Sequence, residues 1–138
     1  MADTTDVPQE IIDDFKKFKS SNKQNTAIIF KVNKDTLSVE QEETLDNVTM
    51  EEIAEYMPEI SPRFIAYSYK HTHADGRMSL PLVFIYYCPR DISPVLNMLY
   101  SSTKTKLQTK LQIMKTFDIQ ESEAMTTQWL KDKLKFFD

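Results

Sequence analysis

The densest apolar pattern lies between residues 63 and 89, where two runs rich in aromatic and β-branched side chains flank Asp75 and Gly76. Gly76 is the only glycine in the chain. Because a two-residue Asp-Gly turn favours the positive φ that tight hairpin turns need, the two runs are predicted to pair antiparallel across it. In the predicted register, Ala74 lies opposite Arg77, His71 opposite Leu80, Tyr69 opposite Leu82, Tyr67 opposite Phe84 and Ile65 opposite Tyr86.

The two ends of this predicted hairpin differ in polarity. Near its base both faces are apolar, as expected for strands covered by layers on both sides. Toward the turn the side chains become polar, and they could not be buried on either face without partners. With about five residues on each side at roughly 3.3 Å each, we expect an arm on the order of 15 Å that projects into water. Pro81 cannot donate to a strand ladder and suits the point where the strand leaves the sheet.

The start of the chain combines a polar segment with an amphipathic pattern. Residues 1–7 are predicted to be a flexible segment. Asp6 is a candidate cap for a first helix, with Pro8 in the first turn of that helix. An apolar stripe then predicts a helix that ends within residues 19–22. The stripe consists of Ile11, Phe15 and Phe18.

Two strands and a short helix are predicted next. Residues 26–32 are apolar enough for a strand buried on both faces, and residues 37–45 alternate as a more exposed strand. Thr49, with Glu52 three residues later, forms a capping-box pattern. This pattern predicts a short helix, which Pro58 ends.

A long amphipathic helix is predicted to follow Ser93, a good N-cap, with Pro94 as its first residue. At 100° per residue, one face is apolar and should pack on the sheet. The opposite face carries one methionine and small hydroxyls, which is either an ordinary solvent-facing surface or a contact surface for a partner. The predicted inner face comprises Leu96, Tyr100, Thr103, Leu107, Leu111 and Met114, and the outer face comprises Met98, Ser101, Ser102, Thr105, Thr109 and Gln112, with Lys104 and Lys106 on its flanks.

The end of the chain completes the predicted fold. Residues 116–119 are predicted to be a final strand and residues 121–136 a closing helix. The element order places helices on both sides of a mainly antiparallel sheet that gains at least one parallel neighbour, which predicts an α/β (α+β) fold. Residues 8–138 are expected to form a single domain. The side chains expected to point inward from the closing helix are Trp129, Leu130, Leu134 and Phe137.

Composition narrows the class of protein. With 41 % hydrophobic and 28 % charged residues in 138, the chain is typical of a soluble globular domain. A formal net charge of −4 argues against nucleic acid as the main partner and against a polybasic membrane patch. The opening residues lack the pattern of a secretory signal, and no uncharged run is long enough to span a bilayer. Cys88 is the only cysteine, so we expect a reducing, cytoplasmic location.

The residues that could carry catalysis or bind a metal do not converge. His71 and His73 share a strand face, and Asp75 and Cys88 are the other conceivable ligands. In the predicted hairpin Asp75 lies in the turn and Cys88 at the far end of the partner strand, so no third ligand meets the histidines. A single glycine also excludes a glycine-rich phosphate cradle. We therefore expect no metal, no cofactor and no enzymatic activity.

Three segments resemble a known family. They are YSYKHTHADGRMSLPLVFI at 67–85, MLYSSTKTKLQ at 98–108 and WLKDKLKFF at 129–137. The chain is similar from about residue 8 to residue 137 to the glia maturation factor family, which belongs with cofilin to the actin-depolymerising-factor homology superfamily. The resemblance implies a central mixed five- or six-stranded sheet flanked by helices on both faces.

The resemblance also implies a function in branched actin. Members of this family bind the actin-related protein 2/3 complex, inhibit its nucleation and detach daughter filaments, without nucleotide hydrolysis of their own. Cofilin relatives grip actin with lysines in the first turns of the long helix, at positions that match Val95 and Asn97 here, so weak or no binding to actin alone is expected. The alternative is cofilin-like activity, with binding to actin monomers and filaments and severing. Either way we expect a monomer at the cytoplasmic, cortical actin cytoskeleton, with the nucleus left open.

Two contact surfaces are implied for these partners. The first joins the segment near Val7 to the outer face of the long helix, and would meet the actin-like subunit of the complex. The second is the hairpin arm, which would touch the first actin of the daughter filament. The expected contact residues are Val7, Pro94, Asn97, Met98, Ser101, Ser102, Lys104 and Thr105 on the first surface, and Lys70, His71, His73, Asp75 and Arg77 on the second.

Overall fold

A mixed five-stranded sheet is the centre of the computed structural model, which describes residues 5–135. In chain order the strands are β1 (Thr26–Asn33), β2 (Ser38–Leu45), β3 (Arg63–Ser68), β4 (His71–Thr72), β5 (Met78–Ser79), β6 (Leu82–Tyr87) and β7 (Lys115–Ile119). The sheet has the order β2-β1-β3-β6-β7, and β4 pairs with β5 in a separate ribbon. Sheet neighbours are antiparallel except β6 and β7, which are parallel.

Helices cover both faces of this sheet. They are α1 (Gln9–Ser21), α2 (Met50–Tyr56), α3 (Pro94–Leu111) and α4 (Thr127–Leu134), with a 3-10 turn at Ser122–Ala124. On one face, Phe15 of α1 and Leu107 of α3 join a buried cluster with the sheet. On the other face, Ile53 of α2 and Leu130 of α4 join a second cluster. The predicted fold, a mixed sheet with helices on both faces, is confirmed.

Tyr100 anchors α3 on the sheet. Its ring lies 5.4 Å from the ring of Phe64 on β3, a separation at which aromatic pairs attract beyond their buried area. Its hydroxyl accepts a buried hydrogen bond of 3.0 Å from the Val32 N–H on β1. The long helix is therefore fixed to two neighbouring strands by packing and by a directional polar contact.

The register of the central hairpin differs from the predicted one by one residue. Tyr67 lies opposite Val83 rather than Phe84. A shift of one residue changes which side chains share a face. Tyr67 therefore packs on the α2 and α4 side with Val83, whereas Phe84 packs on the α1 and α3 side. The predicted pairs that are wrong are Ala74–Arg77, His71–Leu80, Tyr69–Leu82, Tyr67–Phe84 and Ile65–Tyr86.

The turn at the tip explains this shift. The His73 N–H donates to the Arg77 carbonyl at 2.7 Å, which leaves a loop of three residues between them. Gly76, the last of the three, has φ +89°, while Asp75 does not have the positive φ that a tight two-residue turn would require. A three-residue loop with glycine in this place is the next commonest hairpin connection. The glycine is used as predicted, but in a loop that is one residue longer.

The first helix begins later than predicted. It starts at Gln9, and Pro8 occupies the cap position without a side-chain cap. Asp6 is therefore not the cap. Its backbone instead pairs with the edge of β2, since its N–H donates to Leu37 O and its carbonyl accepts from the Val39 N–H, both at 2.8 Å.

Residues 5–7 consequently belong to the folded structure, and the expected flexible segment 1–7 is wrong for them. Unpaired groups along a sheet edge are satisfied when an extended segment lies beside them, which is what Asp6 provides. Thr5 and Val7 on either side of it are both buried. Residues 1–4 of that expected segment lie outside the described residues.

The other predicted elements are confirmed with two exceptions. The Thr49–Glu52 capping box forms with both of its hydrogen bonds, and the Ser93 hydroxyl caps α3. Met114 is wrongly placed on the inner face, because α3 ends at Leu111 and Met114 is 87 % exposed.

The closing helix is shorter than predicted. A 3-10 turn comes first, and α4 then begins after Thr126, whose side chain accepts from the Trp129 N–H. Leu130 and Leu134 are buried as predicted, and Trp129 is half-buried. Phe137 and the end of the predicted helix at residue 136 lie outside the described residues.

Candidate binding surfaces

The outer face of α3 is led by two exposed apolar side chains. Val95 is 76 % exposed and Met98 74 % exposed. Large apolar side chains are mostly buried in folded proteins, so this pair is a candidate contact. We define the outer face as Val95 and Met98 together with the exposed residues Pro94, Asn97, Ser101, Ser102 and Thr105.

The serines of this face are already satisfied within the helix. Ser101 Oγ donates to the Asn97 carbonyl at 2.6 Å, and Ser102 Oγ donates to the Leu99 carbonyl at 3.0 Å. Side-chain hydroxyls bonded back to the helix leave no donor that a partner must satisfy. Burying these two serines therefore costs little polar desolvation.

The two flanking lysines point away from the outer face. Lys104 Nζ lies 2.6 Å from Asp118 Oδ1 on β7 and 5.6 Å from the centre of the Tyr86 ring. Lys106 Nζ donates to the Thr5 carbonyl at 2.7 Å. The face between them is consequently neutral. A partner can use the Lys104 charge only if the ammonium leaves Asp118.

Val7 is not on this surface, contrary to the sequence prediction. Its side chain is 7 % exposed and packs in the same buried cluster as Ile11 and Phe15. An apolar residue beside the sheet edge gains more by packing under α1 than by facing water. Within residues 5–7, Asp6 is the exposed member and can reach a partner.

The hairpin arm is short and internally bonded. Its strands β4 and β5 are two residues each. Asp75 Oδ2 lies 2.6 Å from Arg77 Nε, and Asp75 Oδ1 accepts from the Arg77 N–H at 3.0 Å. These bonds hold the pKa of the Asp75 carboxyl below its usual range. His73 Nε2 and Ser79 Oγ share a further hydrogen bond of 2.8 Å across the ribbon.

His71 is buried, which corrects its assignment to the exposed arm. Its side chain is 6 % exposed, and its ring centre lies 6.0 Å from that of Tyr69 and 4.7 Å from that of His73. A polar ring can be buried when neighbouring rings and polar groups surround it. Lys70, Asp75 and Arg77 remain exposed on the arm.

The predicted contact set omits two exposed apolar residues. Val95 leads the outer face of α3, and Met78 on the arm is 62 % exposed. Val95 is absent from the predicted inner face of the helix, and Met78 lies on the predicted arm. A large apolar residue outside the predicted core positions is therefore the sequence feature that would have identified both as contact candidates.

The two surfaces lie at opposite ends of the sheet. The arm continues from the end of β3 and the start of β6, whereas α3 begins after the far end of β6. Six paired residues at roughly 3.3 Å each separate these ends by about 20 Å. The structure therefore joins the segment 5–7 to α3, but it does not bring the arm to the first turns of α3.

No group of three or more histidine, cysteine, aspartate or glutamate side chains in residues 5–135 could hold a metal ion. Burial raises the pKa of Tyr67 and Tyr86, so both stay neutral. The Cys88 thiol is half-buried, 3.9 Å from Asn97 Oδ1. In the same part of the chain, each helix is too short or too polar to cross a bilayer.

Comparison with known proteins gives the same family. The family described as "Cofilin/tropomyosin-type actin-binding protein" matches residues 4–135. The "Glia maturation factor" of Drosophila melanogaster is 37 % identical over 131 residues, which cover 94 % of this chain and 95 % of that protein. The "Glia maturation factor beta" of Rattus norvegicus is 40 % identical over 133 residues, with coverage of 96 % and 94 %.

Solved structures agree with this match. The solution structure of glia maturation factor from Caenorhabditis elegans superposes with a TM-score of 0.81 at 30 % identity and covers 95 % of this chain and 96 % of that one. A cofilin structure from Streptomyces griseoflavus has the same TM-score at 21 % identity, with coverage of 94 % and 96 %, and so shares the fold. The chain therefore belongs to the cofilin/tropomyosin-type actin-binding proteins and, within them, to the glia maturation factor family.

Proposed function

We propose that this protein binds the actin-related protein 2/3 complex, inhibits its nucleation and promotes detachment of daughter filaments at the cytoplasmic actin cytoskeleton. Recognition is the whole activity, with no bond made or broken. The proposal extends family membership to the partner that the glia maturation factor resemblance implies.

The neutral outer face of α3 is the observation that carries this proposal. Val95 and Asn97 occupy the positions where cofilin relatives are expected to carry actin-gripping lysines. An uncharged side chain cannot form the charge-assisted hydrogen bonds that an acidic surface demands. Exposed Met98 beside them favours a partner surface with an apolar pocket. The uncharged face therefore favours binding to an actin-like subunit of the complex over binding to actin itself.

Detachment of branches follows from differential affinity. A protein that binds the released complex more tightly than the branched one moves the junction toward dissociation. Each 1.4 kcal/mol of difference changes the equilibrium by about tenfold. The arm supplies a means for this difference if, at the far end of the sheet, it crowds the first actin of the daughter filament, because that crowding weakens binding to the intact junction and not to the released complex.

The test is imaging of single branched filaments with and without the protein. Saturating protein should shorten branch lifetimes and reduce the appearance of new branches. Unchanged branch lifetimes would contradict the proposal. A pelleting assay with pure actin separates the cofilin-like alternative, since robust co-sedimentation or monomer binding would favour that alternative.

A charge introduced on the outer face tests the contact itself. The double variant Met98→Glu, Ser102→Glu should lose binding to the complex, because two carboxylates would need desolvation in an apolar contact. Both side chains are exposed, so the fold should persist. Gln128→Glu, at an exposed position of α4 on the opposite face of the sheet, is the control and should bind normally. Equal binding by all three proteins would exclude this face as the contact.

The arm is tested separately from the helix. Arg77→Ala with Met78→Ser removes an exposed ion pair and an exposed apolar side chain. We expect this variant to bind the free complex normally but to shorten branch lifetimes less than the unaltered protein does. If it shortens them equally, the arm makes no contact with the daughter filament.

A further inference from the structure

We infer that Lys106 is a positioning residue whose ammonium holds residues 5–7 against α3, so that this segment extends the outer face. The effect on docking rests on the proposed function. The placement of the segment does not, because it is a property of the protein alone.

The bond runs from the flank of the helix to the backbone of the segment. Lys106 Nζ donates to the Thr5 carbonyl at 2.7 Å in a partly buried setting. Lys106 follows Ser102 by four residues, so the two occupy neighbouring places on the helix surface. Because the Lys106 side chain reaches away from the outer face, the segment lies along the flank of α3 that borders this face.

The other contacts of residues 5–7 are made with α1 and β2, not with α3. Val7 packs into the core under α1, and the backbone of Asp6 bonds to Leu37 and Val39 at the start of β2. Thr5 is 2 % exposed, yet its Oγ1 has no hydrogen-bond partner within residues 5–135. Its carbonyl is therefore the polar group that links Thr5 to α3. An ionised donor makes this a stronger bond than a neutral one would be.

A held segment favours docking because it does not have to be ordered when the partner arrives. Exposed Asp6 is then held at a fixed position next to the neutral outer face of α3. If the lysine bond is lost, the partner must either do without this part of the surface or order it on binding, and ordering costs conformational entropy.

The test compares two substitutions of Lys106 with one control. Lys106→Met keeps the apolar stem and removes the ammonium, Lys106→Arg keeps a cationic donor, and Lys110→Met removes an exposed lysine from the last turn of the same helix. Amide hydrogen exchange of the full chain is followed at Asp6 and Val39 by NMR. We expect about tenfold faster exchange in Lys106→Met, with little change in the other two variants.

Affinity for the actin-related protein 2/3 complex is measured on the same proteins. Lys106→Met should bind roughly tenfold more weakly, and Lys106→Arg should restore binding. Unchanged exchange in Lys106→Met, or an equal change in Lys110→Met, would overturn the inference. Faster exchange with unaltered affinity would overturn its docking part. If the unaltered protein does not bind the complex, the proposed function fails, while the exchange result still decides whether Lys106 positions the segment.

Discussion

Replacing Tyr100 with phenylalanine tests how firmly α3 is held to the sheet. The side chain is buried, and its hydroxyl accepts from the Val32 N–H at 3.0 Å. The pairing of β1 with β3 extends from Thr26 to Phe30 and does not reach Val32. The tyrosine hydroxyl therefore takes the place of a strand carbonyl for that N–H.

The cost of the substitution follows from this geometry. Tyr100→Phe keeps the ring against Phe64 but leaves the buried Val32 N–H unsatisfied. A buried donor without a partner costs about 1–3 kcal/mol, so we expect the free energy of unfolding to fall by about 2 kcal/mol. For a chain of this size, that corresponds to a melting temperature lower by roughly 6 °C.

Tyr86→Phe provides the matched control. Tyr86 is also buried, but within residues 5–135 its hydroxyl has no backbone partner and approaches only the weakly polar Cys88 thiol. Removing that hydroxyl should change the free energy of unfolding by less than about 0.5 kcal/mol or raise it slightly. Urea unfolding followed by circular dichroism measures both variants. If Tyr100→Phe costs no more than Tyr86→Phe, the hydrogen bond to Val32 contributes nothing and the reasoning is refuted.

Three further outcomes are expected. Gly76→Ala should loosen the arm, because alanine is strained at the φ of +89° that this position requires. Amide exchange measured by NMR should accelerate only in the ribbon of β4 and β5, and the melting temperature should change little. Loss of exchange protection across the main sheet would contradict this. Thr49→Ala should lower the free energy of unfolding by about 1 kcal/mol, since the box with Glu52 is lost; an unchanged urea midpoint would show the cap to be dispensable. Hydrogen bonds from Thr127 lower the pKa of Glu51, so their stabilisation is present above the unfolded pKa and is lost as pH falls through the lower folded pKa. The difference in melting temperature between the unaltered protein and Glu51→Gln should therefore shrink from about pH 6 to about pH 3, and a difference independent of pH would refute this account.

Local rules in the sequence were sufficient for most helix and strand positions. The capping box at Thr49 and the Ser93-Pro94 start of α3 depend on neighbours three residues away, so their side chains identify them directly. The exposed face with Met98 follows from the helical period alone, because a stripe opposite a buried one must face outward. These features needed no knowledge of the tertiary structure.

Features that depend on tertiary contacts could not be read in this way. The hairpin register depends on whether the Asp75-Gly76 turn holds two residues or three, and both loops use the same glycine. His71 is buried by the neighbouring rings of Tyr69 and His73, which pack against it in tilted and edge-on arrangements. The edge of β2 pairs with Asp6, which would otherwise suit a helix cap. In each case a distant partner decided between two locally acceptable states.

The distance between the outer face of α3 and the arm is set by the paired strands β3 and β6. Adding one residue to β3 or β6 would turn the aromatic side chains beyond it to the wrong layer, so this spacing cannot be lengthened in small steps. The loop around Gly76 is free of that constraint, because its glycine meets no atom within 4 Å of the place a Cβ would occupy. Differences in the length of the arm between relatives should therefore occur at the tip of the ribbon, while the length of the paired strands β3 and β6 stays constant.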